Sequence, residues 1–257
     1  MNRYRHHIAA LLACALTLGV LGCGGSSDVV HFEGLPNASI STATLSHWMQ
    51  AMAGGGFRQI IGTRGPTGLA SEPADYKRCV RAAKLVAPKT FFGQQKLSDA
   101  DLNTKCHRLH EALKAQALNF LIAVQWTIAE GERHGIKITE ADLRRQFAKQ
   151  RKYQYPTEAD LRKYLSERQW TLADVFYQLK RNMIVSRLAP LVQQQITAAG
   201  GGERANVEVA MTRQKSRSSK TICKPGFVVS NCKEYRPGAP ELSSSVIFEE
   251  IAEGKKG

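Results

Sequence analysis

Six cysteines carry most of the chemistry this sequence offers, and their positions sort them into distinct uses. Cys23 follows Val20-Leu21-Gly22 and precedes Gly24-Gly25-Ser26-Ser27-Asp28. A thiol directly behind a small residue, at the end of an apolar run, is the acyl acceptor that lipoprotein processing requires. Cys14 lies within that run and leaves with it. Cys79, Cys106, Cys223 and Cys232 remain. An even number of cysteines in an oxidising compartment reads as two disulfides, with three connectivities open. Nearest-neighbour pairing, Cys79–Cys106 and Cys223–Cys232, is the expectation, each bond contributing roughly 3 kcal/mol in the chain-entropy model. The rival use is a metal site built from Cys106, His107 and His110. No CxxC pair supports it, and no metal is expected.

The remaining reactive side chains form no catalytic pattern. His31, His47, His107, His110 and His134 are scattered, and His107 and His110 fall on the polar flank of a long helix, where solvation is expected. Asp142, Asp160 and Asp174 stand at helix starts and read as caps. Ser41, Ser243, Ser244 and Ser245 have no glycine elbow. Gly54-Gly55-Gly56 and Gly200-Gly201-Gly202 lack the lysine, strand and helix of a phosphate loop. The expectation is a protein without cofactor and without enzymatic activity.

The elements that position these residues begin with an export segment. Arg3 and Arg5 precede Ile8 to Val20, an apolar run of about 13 residues, too short to span a bilayer and suited to a signal peptide. Residues 1–22 therefore read as a lipoprotein signal peptide and 23–28 as a flexible tether. No later stretch reaches about 18 apolar residues. About 235 residues follow the signal, enough for one domain with a sizeable core. The formal net charge of +14 falls to about +12 once Arg3 and Arg5 leave. On the outer face of a cell membrane such a chain is drawn to anionic lipids, anionic wall polymers or acidic polypeptides, and export excludes nucleic acid as the partner.

The body reads as mainly α. Val29 to Glu33 forms a strand, followed by a turn through Asn37. A short helix starts at Ser41 or Thr42, runs to Met52, and is ended by Gly54-Gly55-Gly56. The chain is then mostly loop to Gln95, with helix around Cys79 between Asp75 and Val86. A Ser/Thr-x-Ala-Asp-Leu/Val pattern then appears four times, at Ser98, Thr139, Thr157 and Thr171. Each is a helix start, with the hydroxyl taking an orphan N–H and the aspartate reaching back. The helices expected from them are Ser98 to His134 with Gly135 at its C-terminal end, Thr139 to Tyr153, Thr157 to Arg168, and Thr171 to about Ala198 with a kink at Pro190. These complete an antiparallel helical domain over 29–198. Residues 199–220 read as a Gly-rich basic linker containing a possible strand at Asn206 to Met211. Residues 221–257 read as a small tail, stapled at Cys223 and Cys232 and disordered after Pro237.

Three segments together resemble the SurA N-terminal domain family: Thr42-Ala43-Thr44-Leu45-Ser46-His47-Trp48-Met49, the block from Asn119-Phe120-Leu121 through Trp126 to Glu130-Gly131-Glu132-Arg133-His134-Gly135-Ile136-Lys137, and the run Thr139 to Ile184. With Lys220-Thr221-Ile222-Cys223, Gly226-Phe227 and Cys232 in the tail, the chain is similar to the PrsA-like foldase lipoproteins of Gram-positive bacteria. That resemblance implies a SurA-N/trigger-factor-like helical module and a lipid-anchored extracytoplasmic chaperone whose partners are unfolded exported polypeptides. It does not extend to the parvulin prolyl isomerase of full-length relatives, because only about 20 residues separate Ala199 from Thr221 where a domain of roughly 100 would be needed. Tyr153, Tyr155, Tyr164, Trp170 and Tyr177 are the candidate client-binding aromatics, with packing at helix junctions as their other reading. A structural or interaction lipoprotein of the cell envelope is the alternative function.

Overall fold

The computed structural model describes residues 27–61, 68–71, 73–85, 97–238 and 244–254. The expected signal peptide, residues 1–22, and the expected lipidation residue Cys23 lie outside them. In chain order the elements are β1 (Asp28–Phe32), β2 (Ser39–Ser41), α1 (Thr42–Ile61), α2 (Tyr76–Lys84), α3 (Asp99–Arg133), α4 (Glu140–Gln154), α5 (Glu158–Arg168), α6 (Leu172–Ala198), α7 (Gly202–Ser218), β3 (Thr221–Cys223) and α8 (Ser244–Glu253). The expected mainly helical fold with a short N-terminal strand and a stapled tail is what forms.

Strand β1 is the middle of a three-stranded antiparallel sheet, in the order β2-β1-β3. Val30 pairs with Ile40 on one side and with Cys223 on the other, and Phe32 pairs with Thr221. The ladder continues past the strand through Glu33 N–H to Lys220 O at 2.8 Å. The tail is thus not an appendage: its first residues complete the sheet that the first described residues begin.

Helix α3 is the spine. Its 35 residues extend about 50 Å. Leu102, Leu109, Leu113, Leu118, Leu121 and Ile122 are buried along it, against Leu45, Trp48 and Met49 of α1 and Ile247 and Ile251 of α8. Its C-terminal end closes where expected. Gly135 takes φ +70, and Ile136 N–H reaches back to Gly131 O at 2.8 Å. A second, smaller core holds Phe147 of α4, Leu161 of α5 and Leu179 of α6, with Leu143, Leu165 and Phe176 packed on it. Helix α6 belongs to both; α4 packs on α6 and α5 packs also on α1, so α4 and α5 form an arm held by α6 and α1.

Both expected disulfides form, with S–S distances of 2.01 Å for Cys79–Cys106 and 2.00 Å for Cys223–Cys232. The first ties α2 to α3, and the second closes the loop after β3.

Four expectations are corrected. Helix α1 continues through Gly54-Gly55-Gly56 to Ile61. Three glycines cost it roughly 1 kcal/mol each relative to alanine, but α1 lies against α3 and α8, and tertiary packing outweighs that propensity. Residues 202–218, read as linker with a strand at Asn206 to Met211, are one helix. Val207 and Val209 suggest a strand, yet alanines and long charged side chains surround them, and Ala205 buries against the body. The segment after Pro237 is not wholly disordered: α8 buries Ile247 and Ile251 in the main core. Finally, β2 forms from residues that the sequence suggested only as a turn and helix start.

A close approach of α3 and α6 at Gly131 generates a test. A Cβ at Gly131 would sit 2.7 Å from Ile184 Cγ2, and Ile184 is buried. Helix propensity would favour Gly131→Ala by up to about 1 kcal/mol, while overpacking costs about 1–3 kcal/mol. The net expectation is a loss of about 1 kcal/mol in urea unfolding. Adding Ile184→Ala removes the clash, so the double-mutant cycle should show favourable coupling. Additive losses would mean that the two helices are not in contact there.

Candidate functional site

The four Ser/Thr-Asp patterns are structural. At Ser98, Thr139, Thr157 and Thr171 the hydroxyl accepts the N–H of the aspartate three residues on, and that aspartate accepts the cap's own N–H. The Thr139 N–H and hydroxyl, with Arg145, hold Asp142 down to about 2. The Thr157 hydroxyl and N–H similarly lower Asp160. Asp174 does more. Burial pushes its carboxyl up, but the Thr171 N–H and hydroxyl and the nearby His47 outweigh burial and leave it low. His47 Nε2 lies 2.8 Å from Asp174 Oδ1, so the cap of α6 is also a joint to α1.

Beside that joint runs a chain of rings. Trp48 of α1 lies 4.8 Å from Phe120, 5.7 Å from Tyr177 and 6.1 Å from Trp170, centroid to centroid. Trp170 continues to Tyr164 at 6.1 Å, and Tyr164 to Tyr155 at 4.3 Å. The Arg168 guanidinium sits 4.3 Å over Tyr164. Burial raises Tyr177 to about 12, and burial with a hydrogen bond to Tyr164 raises Tyr155 as well. Four of the five candidate aromatics therefore pack on one another and bind the arm to the body. Tyr153, 84 % exposed, stands apart from them.

Among the described residues Leu85, Leu172, Val185 and Val228 are exposed, and so is a pair on one helix face. On α7, Val207 and Met211 are 51 % and 65 % exposed, one turn apart. They face a shallow cavity of about 750 Å³ edged by Glu203, Arg204, Glu208 and Lys215. A smaller cavity of about 290 Å³ is lined by Ile128, Ile136, Ile138 and Ile184, with Lys137 and Lys180 at its rim.

Cys106, His107 and His110 do not converge on a metal site. Cys106 is bonded to Cys79, and His107 stacks on Tyr76 with centroids 3.7 Å apart. His110, expected in solvent, is buried with Nδ1 2.7 Å from Leu69 O, because α2 and the loop before it cover that side of α3. Cys223, Cys232 and Glu234 lie close together, but the two sulfurs are joined and Glu234 Oε2 accepts the Cys223 N–H at 3.1 Å.

Two charge clusters were not foreseen. Lys105 of α3, 2 % exposed, donates to Glu250 of α8 at 2.9 Å, and Arg108 joins it at 3.0 Å. Lys105 and Arg108 draw Glu250 below the usual carboxylate range. Glu130 of α3 is buried among Arg217, Arg213 and Arg133, which overcome the upward pull of burial on its carboxyl. Glu130 could have been suspected: its register on α3 puts an acid on an otherwise apolar face. Val207 and Met211 carried the i, i+4 spacing of a helix face, which the strand reading discarded. Comparison with protein-family models, curated proteins and solved structures finds no match for this chain.

The caps give a pH test. Asp142 is lowered in the folded chain, so its contribution is full above its unfolded value and is lost as pH falls toward about 2. Stability measured by urea unfolding should drop between pH 5 and pH 2. Thr139→Ala, which removes the hydroxyl that stabilises the ionised carboxylate, should lower stability at pH 7 by about 1 kcal/mol and flatten that drop. An unchanged acid slope in Thr139→Ala would show that the cap is not what lowers Asp142.

Proposed function

We propose that this chain is a lipid-anchored extracytoplasmic chaperone, which holds unfolded exported polypeptides without isomerising proline. The observation that carries the reading is the open face of α7, where Val207 and Met211 form an apolar strip inside a rim of both charges. A strip of this kind offers apolar burial of about 25 cal/mol per Å² to an extended segment. The net charge, about +12 once Arg3 and Arg5 have left the +14 of the whole sequence, adds attraction for acidic segments and for anionic lipids or wall polymers. Two disulfides suit an oxidising compartment, and the Gly22-Cys23 junction suits an anchor on the outer membrane face. Between α6 and β3, where relatives of the resembled family carry an isomerase, this chain has a single helix.

The alternative, a structural or interaction lipoprotein of the envelope, draws on the aromatic chain. Rings that saturate one another offer little to a client, and they make a rigid joint instead.

Two measurements test the reading. The protein should slow aggregation of a model unfolded polypeptide, and Val207→Ser with Met211→Ser should weaken that effect several-fold while leaving the circular dichroism spectrum intact. The cis-to-trans rate of a prolyl peptide should stay at its uncatalysed value of tens of seconds. No effect on aggregation would favour the structural reading, and a clear rate acceleration would overturn the non-enzymatic one. Separately, mass spectrometry of the membrane fraction should find a diacylglyceryl-modified N-terminal Cys23. An unmodified Cys23 would remove the anchor from the proposal.

A further inference from the structure

Between α3 and α7, beside the stapled loop, lies a cavity of about 240 Å³. Its floor is apolar, made by Ile122 and Trp126 of α3 and Ala210 of α7. Its wall carries Arg213, Gln214 and Arg217 of α7. The Trp126 N–H is already engaged by Thr221 Oγ1 at 2.9 Å, so the indole contributes apolar surface.

Glu130, one turn along α3 from Trp126, fixes both arginines. Arg213 Nη2 lies 3.1 Å from Oε1, and Arg217 Nη2 donates to Oε2. Arg213 is held again by Gln195 Oε1 at 2.7 Å. This is a preorganised pair of guanidinium groups, 23 % and 29 % exposed at the side chain.

The pair is not neutralised. One buried carboxylate faces Arg213, Arg217 and, at 3.9 Å, Arg133. Each guanidinium carries five N–H donors, while a carboxylate accepts at about four positions. Donors and positive charge both remain over. The planar fork of arginine matches a carboxylate in two-point geometry, and does so most strongly where water is partly excluded.

We propose that this cavity binds a carboxylate borne on a small apolar group, with the charge on Arg213 and Arg217 and the apolar part on Ile122, Trp126 and Ala210. Liquid water takes about 30 Å³ per molecule, so the space holds roughly eight waters, or one amino-acid residue. The ligand class is therefore a single residue: the C-terminal residue of a polypeptide, or an acidic side chain within one. The site is separate from the Val207 and Met211 strip: it rests on α3 and α7, with Asn231 of the stapled loop in its lining and Gln195 of α6 holding Arg213, so it stands or falls independently of the holding activity.

The test is isothermal titration calorimetry on the full chain in non-ionic detergent, with four probes. They are N-acetyl-Ala-Ile with a free carboxylate, its C-terminal amide, N-acetyl-Glu-Ile amide, and inorganic phosphate. The free acid should bind, and the amide should bind at least tenfold more weakly. Binding of the glutamyl amide as tight as that of the free acid would assign the site to any carboxylate on an apolar group. A tenfold preference for the free acid would assign it to chain ends. Ala210→Leu fills the cavity without touching a charge and should weaken the free acid at least tenfold. Arg213→Gln leaves Arg217 on Glu130 and should do the same. Equal binding of acid and amide, tighter binding of phosphate than of the free acid, or unchanged binding in Ala210→Leu would each overturn the proposal.

Discussion

Both edges of β1 are occupied, and the rest of the architecture depends on that. β2 follows it at once, but β3 arrives only after every helix from α1 to α7 has been laid down. The pairing is reinforced by Thr221, which is fully buried. Its hydroxyl accepts the Trp126 N–H at 2.9 Å and donates to Arg217 O at 2.9 Å. One side chain thereby joins the end of α7, the start of β3 and the C-terminal third of α3. With Phe32 set edge-on to Trp126 at 5.8 Å, the sheet is pinned to the spine. Since α7 must end at this joint, α6 and α7 have to run out and back, and the arm of α4 and α5 packs on α6 and, through α5, on α1.

The two cores that result are unequal, and the difference bears on dynamics. The main core spans α1, α2, α3, α8 and the sheet, and a disulfide crosses it. The arm has a small core of its own, Phe147, Leu161 and Leu179, at about 2 kcal/mol for each buried side chain, and α5 packs in addition on α1. That small sum must hold α4 and α5 against their conformational entropy. Capping boxes at Thr139, Thr157 and Thr171 and the ring joint at Trp170 supply the difference. Regions with few buried apolar contacts open at lower free energy than the global transition. Among the described residues the arm satisfies that condition.

Legibility followed the range of the interactions. The capping boxes could be read because donor and acceptor lie three residues apart, and so their helices were placed to within a residue or two. The disulfides could be read because nearest neighbours happened to be spatial neighbours. Helix α8 could not be read. Ile247 and Ile251 make a short apolar face whose partner, the groove of α1 and α3, is distant in sequence, and Glu250 finds Lys105 only in the folded chain. The α7 error had a local cause, since two valines at alternate positions mimic a strand while the buried face of the segment is set by Ala205 and by arginines that reach Glu130. The aromatics illustrate the limit of type-based inference. Their identity left open both a groove and packing at helix junctions, and only distances between rings show which of them pack.

The disposition of acids explains why the protein presents so basic a surface. The chain has 22 acidic and 36 basic residues. Asp101, Asp142, Asp160 and Asp174 are spent on caps, and Glu130 and Glu250 on clamps inside the body. Those six carboxylates are turned toward N–H groups and buried cations, so fewer acids remain to interleave with the lysines and arginines outside. Two of the clamps are ion pairs whose desolvation offsets much of their Coulombic gain. Their value is positional: they hold α7 and α8 in register on α3. The exposed positive charge is then a consequence of how the fold is clamped as well as a means of attraction. Its reach is limited, because at 0.15 M salt screening acts within about 8 Å. An anionic surface or segment must come almost into contact before the charge matters, and it is at that distance that the apolar strip of α7 and the arginine-walled cavity can add the short-range contacts that charge alone cannot provide.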